Sequence, residues 1–254
     1  MPVNVKEQPM PVAFGLIVIG DEVLNGKRTD MHLAHFRSML TARGHELAWN
    51  WVLPDDPPVL IAHLRFSMSR PDPVFVCGGI GATTDDHTRA CAAEAAGVKL
   101  LQHHEAKALI EGRFGHEAYP NRILMADLPE TCQLIPNPIN QIPGFRVAGH
   151  FFLPGFPEMA WPMAQWVIAK YFPESTAPIR ELAVRVLGVP ESRLVPLMQH
   201  MGPRFPHLKL FSLPHLGADP HVLLGFRGRE RIEDALEVLV SELDSERIVW
   251  DRLP

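Results

Sequence analysis

The chain is poor in cysteine. Its 254 residues hold three, Cys77, Cys91 and Cys132, with no CxxC pair and no close cluster. That spacing argues against a disulfide framework and a thiolate zinc site, and it suits a reducing compartment. A basic surplus is also missing. Lys and Arg number 24 against 29 Asp and Glu, a net charge of −5 with His neutral, which argues against a nucleic-acid partner. No apolar run approaches the ~18 residues of a membrane span. Residues 1–12 lack the charged-then-apolar order of a signal peptide. The expectation is a cytoplasmic protein with no membrane partner. With 46% hydrophobic and 21% charged residues, the chain is too apolar for disorder and long enough to bury a core without staples.

Proline and histidine are plentiful instead. The 25 prolines are spread along the chain and read as loop punctuation. Of the 13 histidines, His103 and His104 are adjacent and cannot share a helix face. His32 and His35, three apart, can, and they read as a surface pair rather than as metal ligands.

The pattern of elements sets the fold class. Residues 1–12 read as a flexible lead. Phe14–Ile19 and Pro73–Cys77 are short continuous apolar runs, as in strands buried on both faces. Glu46–Val52 reads as a further strand. Between them, Leu33, Phe36 and Leu40, then Leu60, Ile61, Leu64 and Met68, have helical spacing. Thr29 or Asp30 can cap the first of these helices and Gly44 can stop it. An Ala-rich helix is expected over Asp85–Ala96 and another over Glu158–Tyr171. Strands alternating with helices predict an α/β domain with a mostly parallel sheet over residues 13–173. Pro173–Pro178 is the linker candidate. Beyond it, a β-α-β-β-α-β order predicts a small α+β domain over 179–254, closing with a strand at Arg247–Trp250.

Four strand ends carry chemistry. Gly78-Gly79-Ile80-Gly81-Ala82-Thr83-Thr84-Asp85-Asp86-His87-Thr88 follows a strand and opens a helix. Its glycines allow tight turning and close approach, and free amides at a helix start favour an anion. A phosphate held by Gly78, Gly79, Gly81 and Thr83 is one reading. The acids beside it would then need a divalent cation such as Mg²⁺, on Asp85 and Asp86. The plain reading is that Thr84 caps the helix while Asp85 and Asp86 complement its dipole. The loop is neither a Walker A nor a GxGxxG motif. Gly20-Asp21-Glu22 ends the first strand, Asp55-Asp56 the second, and Pro154-Gly155-Phe156-Pro157-Glu158 a later one. Each alone reads as a turn. Together they bring Gly and acid groups to one sheet edge, the layout of a ligand site.

These residues resemble a family. Gly78–Thr88 is similar to the GGxGPTxDDxT signature of the molybdopterin-binding domain of MoaB and Mog proteins, in the variant of the competence/damage-inducible protein A (CinA) family. Gly20–Asp30 resembles that family's G-[TD]-E-L-L-x-G opening segment, and Asp55 follows the second strand where the family has GD or PD. Pro143-Gly144-Phe145 and Pro154–Met159 resemble its APGF and PGxPxEM segments, and Gly188–Leu194 a G-x-x-E-S-x-L stretch of its small second domain. Ala82, Ile80, Met31, His32 and Asn137–Gln141 depart from the pattern. The resemblance implies a three-layer α/β/α fold and a homo-oligomer. It implies a small-molecule ligand, molybdopterin or an adenine nucleotide such as ADP-ribose, and in the CinA-like branch metal-dependent pyrophosphate hydrolysis. On that reading Gly20, Asp21, Glu22, Asp30, Gly78, Gly79, Gly81, Thr83, Thr88, Pro154 and Gly155 bind the ligand. Asp85 and Asp86 hold Mg²⁺ or another divalent ion, and Asp55 or Glu22 serves as general base beside Asp86. The alternative is a non-catalytic binding or assembly module.

Overall fold

Strand β1 (Ala13–Ile19) lies one strand in from the edge of a six-stranded sheet in the computed structural model. The structure describes residues 11–175 and 179–253. Most of the expected lead (1–10) and the second half of the expected linker (176–178) lie outside the described residues. The chain divides after Ser175 into two compact units.

In the first unit, β1 is followed by the single helical turn α1 (Asp21–Leu24), α2 (His32–Ala42), β2 (Glu46–Leu53), α3 (Pro57–Met68), β3 (Val74–Cys77) and α4 (Thr88–Ala96). Next come β4 (Leu100–Gln102), α5 (His104–Phe114), 3₁₀ turns at Gly115–Ala118 and Arg122–Ala126, and β5 (Asp127–Pro129). The unit ends with β6 (Gln133–Ile135), β7 (Gly144–Val147), β8 (His150–Leu153) and α6 (Pro157–Tyr171). The sheet order is β2-β1-β3-β8-β7-β6. The first four strands are parallel, and β7 and β6 close one side antiparallel. β4 and β5 form a separate two-stranded piece.

The apolar strands alternate between two cores. From β1, Ile17 and Ile19 face a cluster with Leu60 and Leu64 of α3, Cys91 of α4 and Ile110 of α5. Phe14, Leu16 and Val18 face a cluster with Phe36 and Leu40 of α2 and Met163 and Val167 of α6. Val74 and Val76 of β3 join the first, Phe75 and Cys77 the second. Both faces of the strand are covered, so its sequence shows no polar positions. This is the expected three-layer architecture, each buried Leu, Ile or Phe contributing about 1.5–3 kcal/mol.

Helix α4 starts three residues later than its sequence suggests. Its N-cap is His87, which makes no side-chain cap, and Thr84, Asp85 and Asp86 lie in the turn before it. The histidine pair also departs from expectation. His32 is buried at 4% exposure, with Nε2 3.1 Å from the Gly155 carbonyl. His35 stacks on Trp161 at 3.9 Å. Neither makes a surface pair.

The second unit runs β9 (Arg180–Leu187), α7 (Glu191–Arg204), β10 (Lys209–His215), β11 (His221–Gly228), α8 (Ile232–Ser245) and β12 (Trp250–Arg252). Its antiparallel sheet has the order β10-β11-β9-β12, and its own core joins Val184, Leu197, Leu224 and Leu239. The closing strand lies at 250–252 instead of 247–250, because Arg247 adopts a left-handed φ of 56° that a strand excludes.

Candidate functional site

The order of the sheet reverses direction at β1, with β2 on one side and β3 on the other. A crevice opens at the strand carboxyl ends at such a point. Three glycines meet there. Gly20 follows β1, Gly78 follows β3 and Gly155 lies two residues past β8. A Cβ on Gly78 would sit 2.2 Å from the Ile19 carbonyl oxygen, and one on Gly155 would sit 3.4 Å from Gly78 Cα. Gly78 also has φ +117°. Close strand ends and a left-handed backbone both require glycine there.

A cavity of about 600 Å³ occupies this edge. It brings together most of the sequence candidates: Gly20, Glu22, Asp55, Gly78, Gly79, Gly81, Thr83, Asp85, Asp86, Pro154 and Gly155 all line it. Asp21, Asp30 and Thr88 do not. Asp21 contributes its amide to the Asp55 carboxylate at 3.0 Å. Asp30 accepts the amides of His32 (2.7 Å) and Leu33 (3.3 Å), so it closes the start of α2. Thr88 is fully buried beneath Gly79, whose added Cβ would lie 2.1 Å from Thr88 Oγ1.

The loop itself separates bound from free donors. The Gly78 amide donates to the Leu153 carbonyl at 3.0 Å, so it is spent on the sheet. The Thr83 amide (2.8 Å) and hydroxyl both donate to Asp86, so Thr83 and Asp86 brace each other. Gly81 permits this brace, since its Cβ would come within 2.5 Å of Asp86 Oδ2. Among the described residues nothing accepts the amides of Gly79, Ile80, Gly81 or Ala82. These four amides are unpaired among the described residues, while those of Gly78 and Thr83 are taken.

Acidic side chains line this cavity wall too, those of Glu22, Asp55, Asp85 and Asp86. Burial raises the Asp55 carboxyl above the usual range, and the neighbouring Asp21, Glu22 and Asp85 carboxylates add to the rise. The exposed Asp85 carboxyl lies below its usual value, with polar Thr83 beside it as the first cause. No group of three or more His, Cys, Asp or Glu among the described residues could hold a metal ion. A closed protein site is thus absent among them. The wall fits a cation bound by one or two carboxylates and completed by ligand phosphates and water, the usual arrangement for Mg²⁺.

The cavity lining also includes two arginines that sequence patterns did not mark. Arg28 lies over the Phe156 ring (5.6 Å) and Arg122 over Phe114 (4.5 Å). Both arginines line the cavity with Met125, Asn137, Asn140 and Met159. Arg89 was also missed. It is buried at 8% exposure in α4, and its guanidinium donates to the carbonyls of Gly81 (2.8 Å), Asp127 (3.0 Å) and Leu124. It fixes the glycine loop to the segment before β5. A sequence signal exists: Arg89 shares the buried face of a short Ala-rich helix with Ala92 and Ala93.

A mostly parallel sheet, helices on both faces and a glycine loop at the reversal of strand order define a small-molecule-binding α/β protein. Residues 15–174 match the family model described as "Probable molybdopterin binding domain". The chain belongs to this family. It is 32% identical over 192 residues to a CinA-like protein of Citrifermentans bemidjiense, covering 72% of this chain and 46% of that protein. A CinA-like protein of Myxococcus xanthus is 31% identical over 252 residues, 94% of this chain and 59% of that protein. The chain thus spans about half the length of these curated relatives. Among solved structures, a CinA protein "with unknown function" from Thermoplasma acidophilum superposes with a TM-score of 0.57 at 28% identity, covering 63% of this chain and 97% of that one.

Proposed function

We propose that the first unit binds a phosphorylated pterin or adenine nucleotide, with a phosphate on the amides of residues 79–82. The observation that carries this reading is the set of four unpaired amides in a cavity also lined by Arg28 and the acids of strand ends. Unpaired backbone donors at a helix approach favour an anion. The apolar side of the cavity, with Phe114, Met125, Ile142 and Phe156, offers a surface for a flat heterocycle. The family description supports a pterin ligand such as molybdopterin.

A second reading, metal-dependent hydrolysis of a pyrophosphate such as ADP-ribose, is favoured by the acidic wall. A divalent cation on Asp85 and Asp86 would supply Lewis-acid polarisation of the phosphoryl group and a more acidic bound water. Asp55, whose raised affinity for protons suits a base, takes the proton of the attacking water, with Glu22 beside it.

Calorimetry with ADP-ribose, AMP and molybdopterin, paired with an assay of AMP release from ADP-ribose in Mg²⁺ or Co²⁺, tests both. Binding with turnover that Asp55→Asn and Asp86→Asn abolish supports the hydrolase. Binding without turnover supports a carrier or sensor. No binding of any of the three overturns the site.

A further inference from the structure

Arg89 stands in an unfavourable place for a cation. It is the second residue of α4, where its charge opposes the positive end of the helix. It is buried. Its hydrogen bonds go to three carbonyls, those of Gly81, Leu124 and Asp127, and its Nε has no partner. Among the described residues it makes no ion pair. Burial weakens its hold on the proton, and the charges of Asp127 and Asp86 oppose that loss without touching the guanidinium. An arginine stays charged nonetheless. A buried charge with no counter-charge in contact is strongly disfavoured. The glycine loop above it, residues 78–88, carries no Lys or Arg of its own.

The bond to Gly81 has a directional consequence. In a planar trans peptide the C=O and the N–H point opposite ways. Among the described residues the one cis bond is Tyr119–Pro120, so the Gly81–Ala82 peptide is trans. Its carbonyl points at Arg89, 2.8 Å away, and Arg89 lies outside the cavity lining. Its N–H, the Ala82 amide, therefore points away from Arg89. Gly81 and Ala82 both line the cavity, and nothing among the described residues accepts that amide. A guanidinium on the carbonyl also polarises the peptide and makes its N–H a stronger donor.

We infer that Arg89 is a positioning residue for an anion: it holds the Gly81 carbonyl, turns the Ala82 amide to the cavity, and receives from the bound anion the counter-charge it lacks. This rests on the phosphate reading above and supplies the positive charge that the loop itself does not carry. Arg89 acts through the Gly81–Ala82 peptide and not by touching the ligand.

The test uses inorganic phosphate and the full chain labelled with ¹⁵N. In the native protein, phosphate is expected to move the Ala82 amide resonance downfield and to slow solvent exchange of the Arg89 guanidinium hydrogens. In Arg89→Met, phosphate should bind about tenfold more weakly, one good hydrogen bond's difference, and the Ala82 resonance should no longer move downfield. Leu40→Ala removes a buried side chain from the core under α2 and lowers stability without touching the loop, so it should bind phosphate as the native protein does. Equal weakening in Leu40→Ala reduces Arg89 to a prop of the fold and overturns the inference. So does an Ala82 amide unmoved at saturating phosphate in the native protein, a result that needs no variant to fold. In that case phosphate still binds and the phosphate reading stands. If the native protein binds no phosphate at all, that reading falls and this inference with it.

Discussion

The Asp55 carboxylate accepts the amide of Asp21 at 3.0 Å, tying the end of the second strand to the turn after the first. The same carboxylate stands among Asp21, Glu22 and Asp85, which disfavour its charge. An amide in its place keeps the acceptor and removes the repulsion. Asp55→Asn is therefore expected to raise the melting temperature at pH 7 by about 1–2 °C. The sign follows from linkage: a carboxyl whose pKa is raised by folding weakens the fold once ionised. The gain should vanish in acid, where Asp55 is protonated in both states. A calorimetric scan at the two pH values reads the difference.

Gly78→Ala meets backbone on both counts. Its Cβ would press to 2.2 Å on the Ile19 carbonyl, and its φ of +117° is closed to alanine. Two central strands would have to part. A loss of about 3 kcal/mol or more is expected in urea unfolding, against a gain of about 0.5–1 kcal/mol for Gly112→Ala inside helix α5, where open space surrounds the added atom.

Arg89 supports the loop without lining the cavity. Its removal in Arg89→Met strands the carbonyls of Gly81, Leu124 and Asp127. About 2–4 kcal/mol of stability should go with them, and phosphate affinity should fall because Gly81 is no longer fixed. Arg89→Lys should rescue little, since one ammonium does not reproduce a planar fork. Phosphate titration of the two variants, each first shown to be folded, makes the comparison.

His150 sets a limit in acid. It is buried in β8 with Nδ1 donating to the Ala148 carbonyl (3.0 Å) and Nε2 2.8 Å from Ser67 Oγ. Burial pulls its pKa down from 6.5 to about 4. The unfolded chain binds the proton that the folded one refuses, so stability falls as the pH drops from 6.5 toward 4, by up to about 3 kcal/mol. In His150→Phe that part of the slope should be missing. Urea midpoints from pH 7 to pH 4 measure it.

Strand and helix periods were legible because both faces of β1 and β3 are buried, which leaves continuous apolar runs. The glycines of the loop were legible for the same reason, since crowding at strand ends demands them. The start of α4 was not. Thr84-Asp85-Asp86 looks like a cap, yet Asp86 turns back to Thr83 across a local loop. His32 and Arg89 were read poorly because their partners, Gly155 and Asp127, are 123 and 38 residues away. Residue type alone does not reveal a carbonyl that distant.

The interior place of β1, paired on both edges, bears on how the unit is made. It is the first strand of the sheet to leave the ribosome, and its two neighbours come later, β2 at Glu46–Leu53 and β3 at Val74–Cys77. Through that interval an entirely apolar strand has both its edges open. Such a strand is a target for pairing with other nascent chains. The hazard for β1 ends only once β3 has left the ribosome and paired with it, so a pause before that point would harm yield more than a pause after it.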